Sequence, residues 1–186
     1  MMNIPTSLQD AKDLLTKDGF TAGTIWYHGT SSALLDSIKE QGLKRSGDKA
    51  IKQTTKNIMA TIGNSYTETT EPVFLTQSKE LAYFWAESKV KEISTHSGEM
   101  SEPVVIEVAL SDELNQKVKT DVGAASLFMV QGSSYLDHLA EIYLANDLEL
   151  ELIDPTNADR MDYLNKLGMA YIDQDIDRQY LEMLSC

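Results

Sequence analysis

A histidine beside a glycine follows a short run of strand-forming residues near the start of the chain. The stretch 24–30 reads TIWYHGT, so β-branched and aromatic residues lead directly into His28, Gly29 and Thr30. The strand places the His28 ring, which titrates near neutral pH, next to Gly29. Because glycine has no side chain, a ligand can approach its backbone closely. A histidine at a strand end is more often satisfied by a neighbouring side chain, so a functional interpretation needs support from elsewhere in the chain.

A second stretch joins a short strand to a helix rich in aromatic residues. Pro72 opens the predicted strand Val73–Thr76, and Ser78 is a suitable N-cap for a predicted helix Lys79–Glu92. The helix is rich in aromatic residues, Tyr83, Phe84 and Trp85, and such rings can be ordinary core residues.

A third stretch begins with an acid. Glu141–Leu144 and Leu148–Ile153 have the composition of two strands joined by a turn at 145–147. A carboxylate at the start of an apolar strand is costly to bury unless it is compensated, which makes Glu141 a candidate catalytic residue. Glu107, within the clear strand pattern of 104–110, is the alternative acid.

Taken in order, these stretches resemble the ADP-ribosyltransferase superfamily, in its diphtheria-toxin and poly(ADP-ribose) polymerase branch with a His-Tyr-Glu set. The resemblance covers about 27–153. It is carried by YHGTSSALLDSIKEQGL (27–43), PVFLTQSKELAYFWA (72–86), AEIYLANDLELELI (140–153) and the internal strand PVVIEVAL (103–110). Leu139 departs from the Glu-x-Glu pattern of the arginine-specific relatives, and Phe74 replaces the family's first stacking tyrosine.

The resemblance implies that NAD is bound as a substrate in a cleft and that its nicotinamide–ribose bond is broken. His28 would orient the adenosine ribose, and the Gly29 backbone, followed by Thr30, would meet the nicotinamide carboxamide. Phe74 and a second aromatic residue, either Tyr83 or Trp85, would sandwich the nicotinamide ring. Glu141 would hydrogen-bond a ribose hydroxyl and stabilise the developing positive charge, and His28 would support it in catalysis.

The function expected from this set is that of an NAD-dependent mono-ADP-ribosyltransferase, similar to toxins and effectors, with an acceptor that the sequence does not identify. An RNA 2′-phosphotransferase of the same fold is an alternative, but it needs arginines around the histidine strand and Trp26-Tyr27 stand there instead. A non-catalytic module that binds NAD or ADP-ribose is the other alternative, and the retention of Glu141 argues against it.

The overall charge bears on the kind of partner. The chain has 186 residues with 16 Lys+Arg against 29 Asp+Glu, a net charge of −13, and such a surface repels nucleic-acid backbones. A protein or small-molecule acceptor is therefore expected rather than a nucleic acid. His28, His96 and His138 lack metal-ligand spacing, so no metal site is predicted.

The location of the protein is expected to be cytoplasmic. Cys186 is the only cysteine, so no internal disulfide can form. The N-terminus lacks the pattern of a secretory signal, and no apolar stretch is long enough for a membrane span. Export by a route that needs no such signal is compatible with these features.

The predicted architecture is a single α+β domain over 1–186, with two small packed antiparallel-rich sheets around an NAD cleft and flanking helices. Helices are predicted over 8–15 and 33–41, short strands near 116–120 and 127–130, and helical packing over 158–186. The polar segment 44–71 carries five basic residues and is either a flap near an anionic ligand or a solvated loop. Those residues are Lys44, Arg45, Lys49, Lys52 and Lys56.

Overall fold

The computed structural model describes residues 2–45, 71–98, 100–120, 132–151 and 159–184. Within these ranges the chain is mixed α+β with small antiparallel sheets, which confirms the predicted fold class. The predicted strand near 127–130 and most of the basic segment 44–71 lie outside the described residues.

The described elements are short apart from two helices and two strands. The strands are β1 (Leu15–Thr16), β2 (Gly19–Phe20), β3 (Ile25–Ser31), β4 (Val73–Leu75), β5 (Pro103–Ala109), β6 (Lys119–Thr120), β7 (Ala170–Ile172) and β8 (Leu181–Met183). The α-helices are α1 (Ala11–Leu14), α2 (Leu35–Gln41), α3 (Lys79–Ser97), α4 (Asp112–Asn115), α5 (Gly132–Ala145) and α6 (Arg160–Asn165). Short 3₁₀ helices cover Thr6–Leu8, Ser32–Leu34 and Arg178–Tyr180.

Two three-stranded sheets form the centre of the molecule. The first has the order β3-β5-β8 and the second the order β4-β7-β6, with antiparallel pairing throughout. A single bridge between Tyr27 and Thr76 connects the first sheet to the second through two backbone hydrogen bonds of 2.8 and 2.9 Å. The two sheets are thus joined edge to edge where β3 meets β4.

The hydrophobic core divides around the long helix α3. One cluster lies between the sheets and α2, with Trp26, Leu75 and Ile106 among its buried members. A second cluster joins α3 to α5 through Phe84 and Leu139. Ala82 and Ala86 form the face of α3 that meets β3, whereas Phe84 lies on the face that meets α5. The helix α3 therefore lies between the first sheet and α5.

The first turn of α3 is capped by Ser78 and by Asp10, which is distant in sequence. Ser78 accepts a hydrogen bond from the Glu80 amide, and the Asp10 carboxylate accepts bonds from the Ser78 hydroxyl and from the amides of Lys79 and Glu80. In return, the Glu80 carboxylate accepts a bond of 2.9 Å from the Ala11 amide. Because the first turn of a helix has amides without helical partners, this mutual arrangement satisfies donors at both helix starts.

The strand that carries His28 is longer than predicted. The sequence placed His28 at the end of its strand, but β3 continues to Ser31, and every residue from Ile25 onward has a partner on β5. The uninterrupted ladder explains the difference, because Gly29 can take the extended conformation as readily as a turn. The predicted helix that follows is confirmed as α2, which is preceded by the 3₁₀ turn Ser32–Leu34 with Ser31 as side-chain cap and is followed by Gly42 at a φ of 77°.

The prediction of a strand at Glu141–Leu144 is wrong. These residues form the last part of the helix α5. Buried Tyr135, Leu139, Ile142 and Tyr143 recur at helical spacing and pack against α3, so a helical stripe explains the apolar run better than a strand does. In the second predicted strand, Leu148–Ile153, residues 148–151 have no regular structure and the remainder lies outside the described residues.

The C-terminal part was also predicted incorrectly as helical packing. After α6, Gly168 adopts a φ of 64°, and the chain then supplies β7 to the second sheet and β8 to the first. Near the N-terminus, the helix predicted over 8–15 is shorter, because Leu15 and Thr16 turn into a hairpin with Gly19 and Phe20.

Candidate functional site

The His28 ring spans the junction between the two sheets. Its Nδ1 lies 2.8 Å from the backbone carbonyl oxygen of Phe74. A carbonyl can only accept, so Nδ1 carries the hydrogen and Nε2 keeps its lone pair. Burial lowers the pKa of His28 below its usual value, which favours the neutral ring near pH 7. His28 can therefore accept a hydrogen bond at Nε2, for example from a hydroxyl group.

Phe74 presents its ring on the outer face of the second sheet. Its neighbours Val73 and Leu75 point to the core, as strand alternation requires, while the Phe74 side chain is 47% exposed. Tyr171 on β7 is the direct partner of Phe74 and is half-buried. The two aromatic residues thus lie side by side on one exposed sheet face.

A lysine extends this row across the third strand. Lys119 on β6 is the direct partner of Tyr171, and its Nζ lies 5.9 Å from the centroid of the Tyr171 ring. Within the described ranges, no carboxylate forms an ion pair with Lys119. We call Phe74, Tyr171 and Lys119 the aromatic platform.

The chemistry of the aromatic platform suits a flat ring attached to an anion. Aromatic faces attract electron-poor rings, and an ammonium group attracts phosphate or carboxylate oxygens. Direct cross-strand partners are about 5 Å apart, so the rings of Phe74 and Tyr171 can contact one ligand together. The His28 ring is held at the same edge of the sheet by its bond to the Phe74 carbonyl.

Two acidic residues follow β7, the strand that carries Tyr171, and both pair with basic residues. Asp173 lies two residues beyond Tyr171, and its Oδ1 is 3.0 Å from Nη1 of Arg45. Asp175 pairs with Lys44 at 3.3 Å, and its pKa is lowered first by a hydrogen bond from the Arg45 amide and then by Lys44. Two of the five basic residues predicted to steer an anion therefore have acidic partners. The other three lie outside the described residues.

Gly29 and Thr30 are not on the aromatic platform. A Cβ on Gly29 would lie 1.9 Å from the carbonyl oxygen of Ala82 and 2.6 Å from the amide of Ala86. The missing side chain thus allows α3 to approach β3, which is a structural reason for glycine at this position. Thr30 is buried in the same strand, opposite Val104.

The structure does not bring the predicted second ring to Phe74. Tyr83 is buried beside Leu8, and its hydroxyl donates to Glu87. Trp85 packs against Phe84 and Tyr135, with ring centroids 5.3 and 5.0 Å away. In the described part of the chain, no ring contact joins Phe74 to Tyr83 or Trp85.

The two candidate acids lie on different sides of α3. Glu141 is exposed on α5, and α3 separates α5 from the strand that carries His28. Glu107 on β5 is the direct partner of Tyr27. Burial raises the pKa of Tyr27 to about 12, and the negative charges of Glu107 and Asp10 add to this effect. Neither carboxylate is part of the aromatic platform.

The sequence did not identify Tyr171 or Lys119 as candidate site residues. The segment Ala170–Ile172 follows a glycine and consists of a small, an aromatic and a β-branched residue, which is a strand signal of minimal length. The surrounding apolar residues favoured a helix at this spacing. Lys119 fell in a predicted short strand, but nothing local indicated that it would neighbour an aromatic ring.

Comparisons with protein-family models, with curated proteins and with solved structures gave no match. In the parts of the chain that the structure describes, no helix has both the length and the apolar character needed to cross a membrane. No group of three or more His, Cys, Asp or Glu side chains in those parts is arranged to hold a metal ion.

Proposed function

We propose that this protein is an NAD-binding enzyme of the ADP-ribosyltransferase type and that the aromatic platform holds the dinucleotide. The observation that carries the proposal is the hydrogen bond between His28 and the Phe74 carbonyl, across 46 residues of sequence. It brings together the first two stretches that resemble the family, beside the exposed rings. The acceptor of ADP-ribose stays open.

Each platform residue has a role in the proposed NAD complex. The nicotinamide ring, which is positively charged in NAD, would lie against Phe74 and Tyr171. The diphosphate would face the Lys119 ammonium group, and a ribose hydroxyl would donate to Nε2 of the neutral His28 ring. In this arrangement Tyr171 takes the place that the sequence assigned to Tyr83 or Trp85.

Cleavage of the nicotinamide–ribose bond needs a carboxylate near the ribose, because positive charge develops there in the transition state. Glu141 is exposed on α5, so α3 would separate it from a ribose at His28. Asp173 follows Tyr171 by two residues, directly after β7, and its carboxylate is the nearest acidic group in sequence to the platform strand. The proposal therefore assigns the electrostatic role to Asp173.

A second candidate function is a non-catalytic module that binds NAD or ADP-ribose at the same platform. The position of Glu141 favours it, because this glutamate was the sequence feature that argued against such a module. The two functions share the binding residues and differ only in whether nicotinamide is released.

The test combines calorimetric binding of NAD with chromatographic measurement of released nicotinamide. Loss of one stacked ring is worth roughly 1–3 kcal/mol, so Tyr171→Leu should weaken NAD binding by about fivefold or more. Tyr180→Leu is the matched control, since Tyr180 is also half-buried but packs against the central core. NAD that fails to bind the wild-type protein, or that binds both variants equally, refutes the platform.

The acid assignment is tested in the same assays. Asp173→Asn should keep NAD affinity within a few-fold and reduce nicotinamide release by roughly 10²–10³, the loss expected for one pre-placed electrostatic group. Glu141→Gln should change neither quantity. Binding without any release by the wild-type protein would establish the non-catalytic module, and an inactive Glu141→Gln protein would refute the assignment to Asp173.

A further inference from the structure

The strand β8 is an open edge of the first sheet. It pairs with β5 on one side only, and no described strand pairs with its other side. The Leu184 amide bonds to the Val105 carbonyl, which fixes the alternation of the ladder. The backbone groups of Leu181 and Met183 therefore point away from β5. Of these groups, the Leu181 amide alone has a partner among the described residues, the Arg178 carbonyl.

A cavity of about 390 Å³ lies along this edge. Its apolar part consists of Ile38 from α2 and of Leu181 and Met183, the two residues of β8 whose side chains face the core. Its polar part consists of Lys39, Arg178 and Gln179. A strand added to β8 would project every second side chain on the cavity side, because directly paired residues share a face.

The charge at this cavity is opposite to that of the whole protein. Lys39 and Arg178 are exposed, and neither forms an ion pair within the described ranges. The chain carries a net charge of −13, yet no carboxylate is among the described residues that line the cavity. Two cations around an apolar floor are complementary to a ligand that has an apolar group between acidic ones.

We propose that the β8 edge binds an extended acidic peptide segment of a partner protein by strand addition. The peptide backbone would bond to the outward groups of Leu181 and Met183, and an apolar side chain would enter the cavity. Acidic side chains two residues before and after it would face Lys39 and Arg178. This mode of recognition takes affinity from backbone hydrogen bonds and specificity from pockets for alternate side chains.

The probe is the peptide acetyl-Asp-Thr-Leu-Thr-Asp-amide, in which both aspartates and the leucine lie on one face of a strand. Titration into ¹⁵N-labelled full-length protein should shift the amide signals of Lys39, Arg178 and Met183, with a dissociation constant below about 1 mM. The same peptide with Lys in place of Asp should bind at least about tenfold more weakly. Methylation of the leucine nitrogen, which removes one ladder hydrogen bond, should also weaken binding.

Protein variants complete the test. The double variant Lys39→Glu and Arg178→Glu should lose binding of the acidic peptide by about tenfold or more and should prefer the lysine peptide. Lys12→Glu with Lys91→Glu is the matched control, because it makes the same charge change at exposed sites elsewhere and should bind normally. Equal binding by both double variants, or no amide shifts in the wild-type protein, overturns the proposal. Binding of octanoate with no effect of N-methylation on the peptide would also overturn it, since the cavity would then be a site for small amphiphilic anions.

Discussion

Replacing Gly29 by alanine separates two interpretations of the residue that follows His28. The sequence suggested that a ligand approaches the Gly29 backbone, whereas the structure shows helix α3 in that space. The new Cβ would lie 1.9 Å from the Ala82 carbonyl oxygen. The atoms that it would meet belong to a helix backbone, so no side-chain rotation can relieve the overlap.

The size of the effect follows from this geometry. Ordinary contact begins near 3.4 Å, so α3 would have to retreat from β3 by roughly 1.5 Å. Such a shift separates the buried residues Ala82 and Ala86 from the sheet. Overpacking in a well-packed core costs about 1–3 kcal/mol where side chains can adjust, and a rigid backbone places this variant at the upper end or beyond. We expect a loss of about 3 kcal/mol or more, which lowers the melting temperature by roughly 6–12 °C.

Urea titration followed by circular dichroism measures this loss. Gly23→Ala is the matched control, because a Cβ on Gly23 would meet nothing within 4 Å beyond its chain neighbours, and the unfolding free energy should change by less than about 1 kcal/mol. If Gly29→Ala is as stable as the wild-type protein, the close packing of α3 on β3 is refuted. If it is stable and also loses NAD binding, the ligand interpretation of Gly29 regains its support.

Two further predictions concern stability. Asp10→Ala should lower the unfolding free energy by about 1–2 kcal/mol, since it removes the acceptor of the first amides of α3, whereas Asp13→Ala, exposed on α1, should have little effect in the same urea titration. Burial lowers the pKa of both His28 and His138, so the native state binds fewer protons than the unfolded state below about pH 6.5, and the unfolding free energy should fall as the pH drops from about 7 to 5.5. His138→Phe should flatten this dependence, and an unchanged slope would show that His138 does not contribute to it.

The sequence was most informative where an element carries its own boundary signals. Ser78 is typical of a helix N-cap and precedes α3, and Gly42 is typical of a helix end and follows α2. The alternation of Val104, Ile106 and Val108 indicated β5 without help from tertiary contacts. These elements depend on local backbone chemistry, which is why the sequence alone predicts them.

The parts that were predicted incorrectly depend on distant partners. The apolar residues near Glu141 fit either a strand or a helix. They form a helix because their helical arrangement packs against Phe84 and the rest of the α3 surface. β7 has only three residues, so its strand conformation depends on pairing with β4 and β6. Local propensity does not contain this information.

The candidate site shows the same division. His28 and Phe74 were selected from the sequence, and the structure brings them into contact. Tyr171 comes from a part of the chain that was assigned to packing, and its position beside Phe74 arises only from the pairing of β4 with β7. A residue of this kind can be recognised only after the strand order is known.

The mutual capping of Asp10 and Glu80 has a consequence for the order in which the protein folds. During synthesis, Asp10 emerges about 70 residues before the helix start that it completes. Closing so long a loop costs entropy before any contact is gained, so we expect the first turn of α3 to be secured late. Pulsed hydrogen exchange during refolding would measure this, since the amides of Lys79 and Glu80 should gain protection together with that of Ala11. Earlier protection of the two helix amides would show that Ser78 alone is sufficient to start the helix.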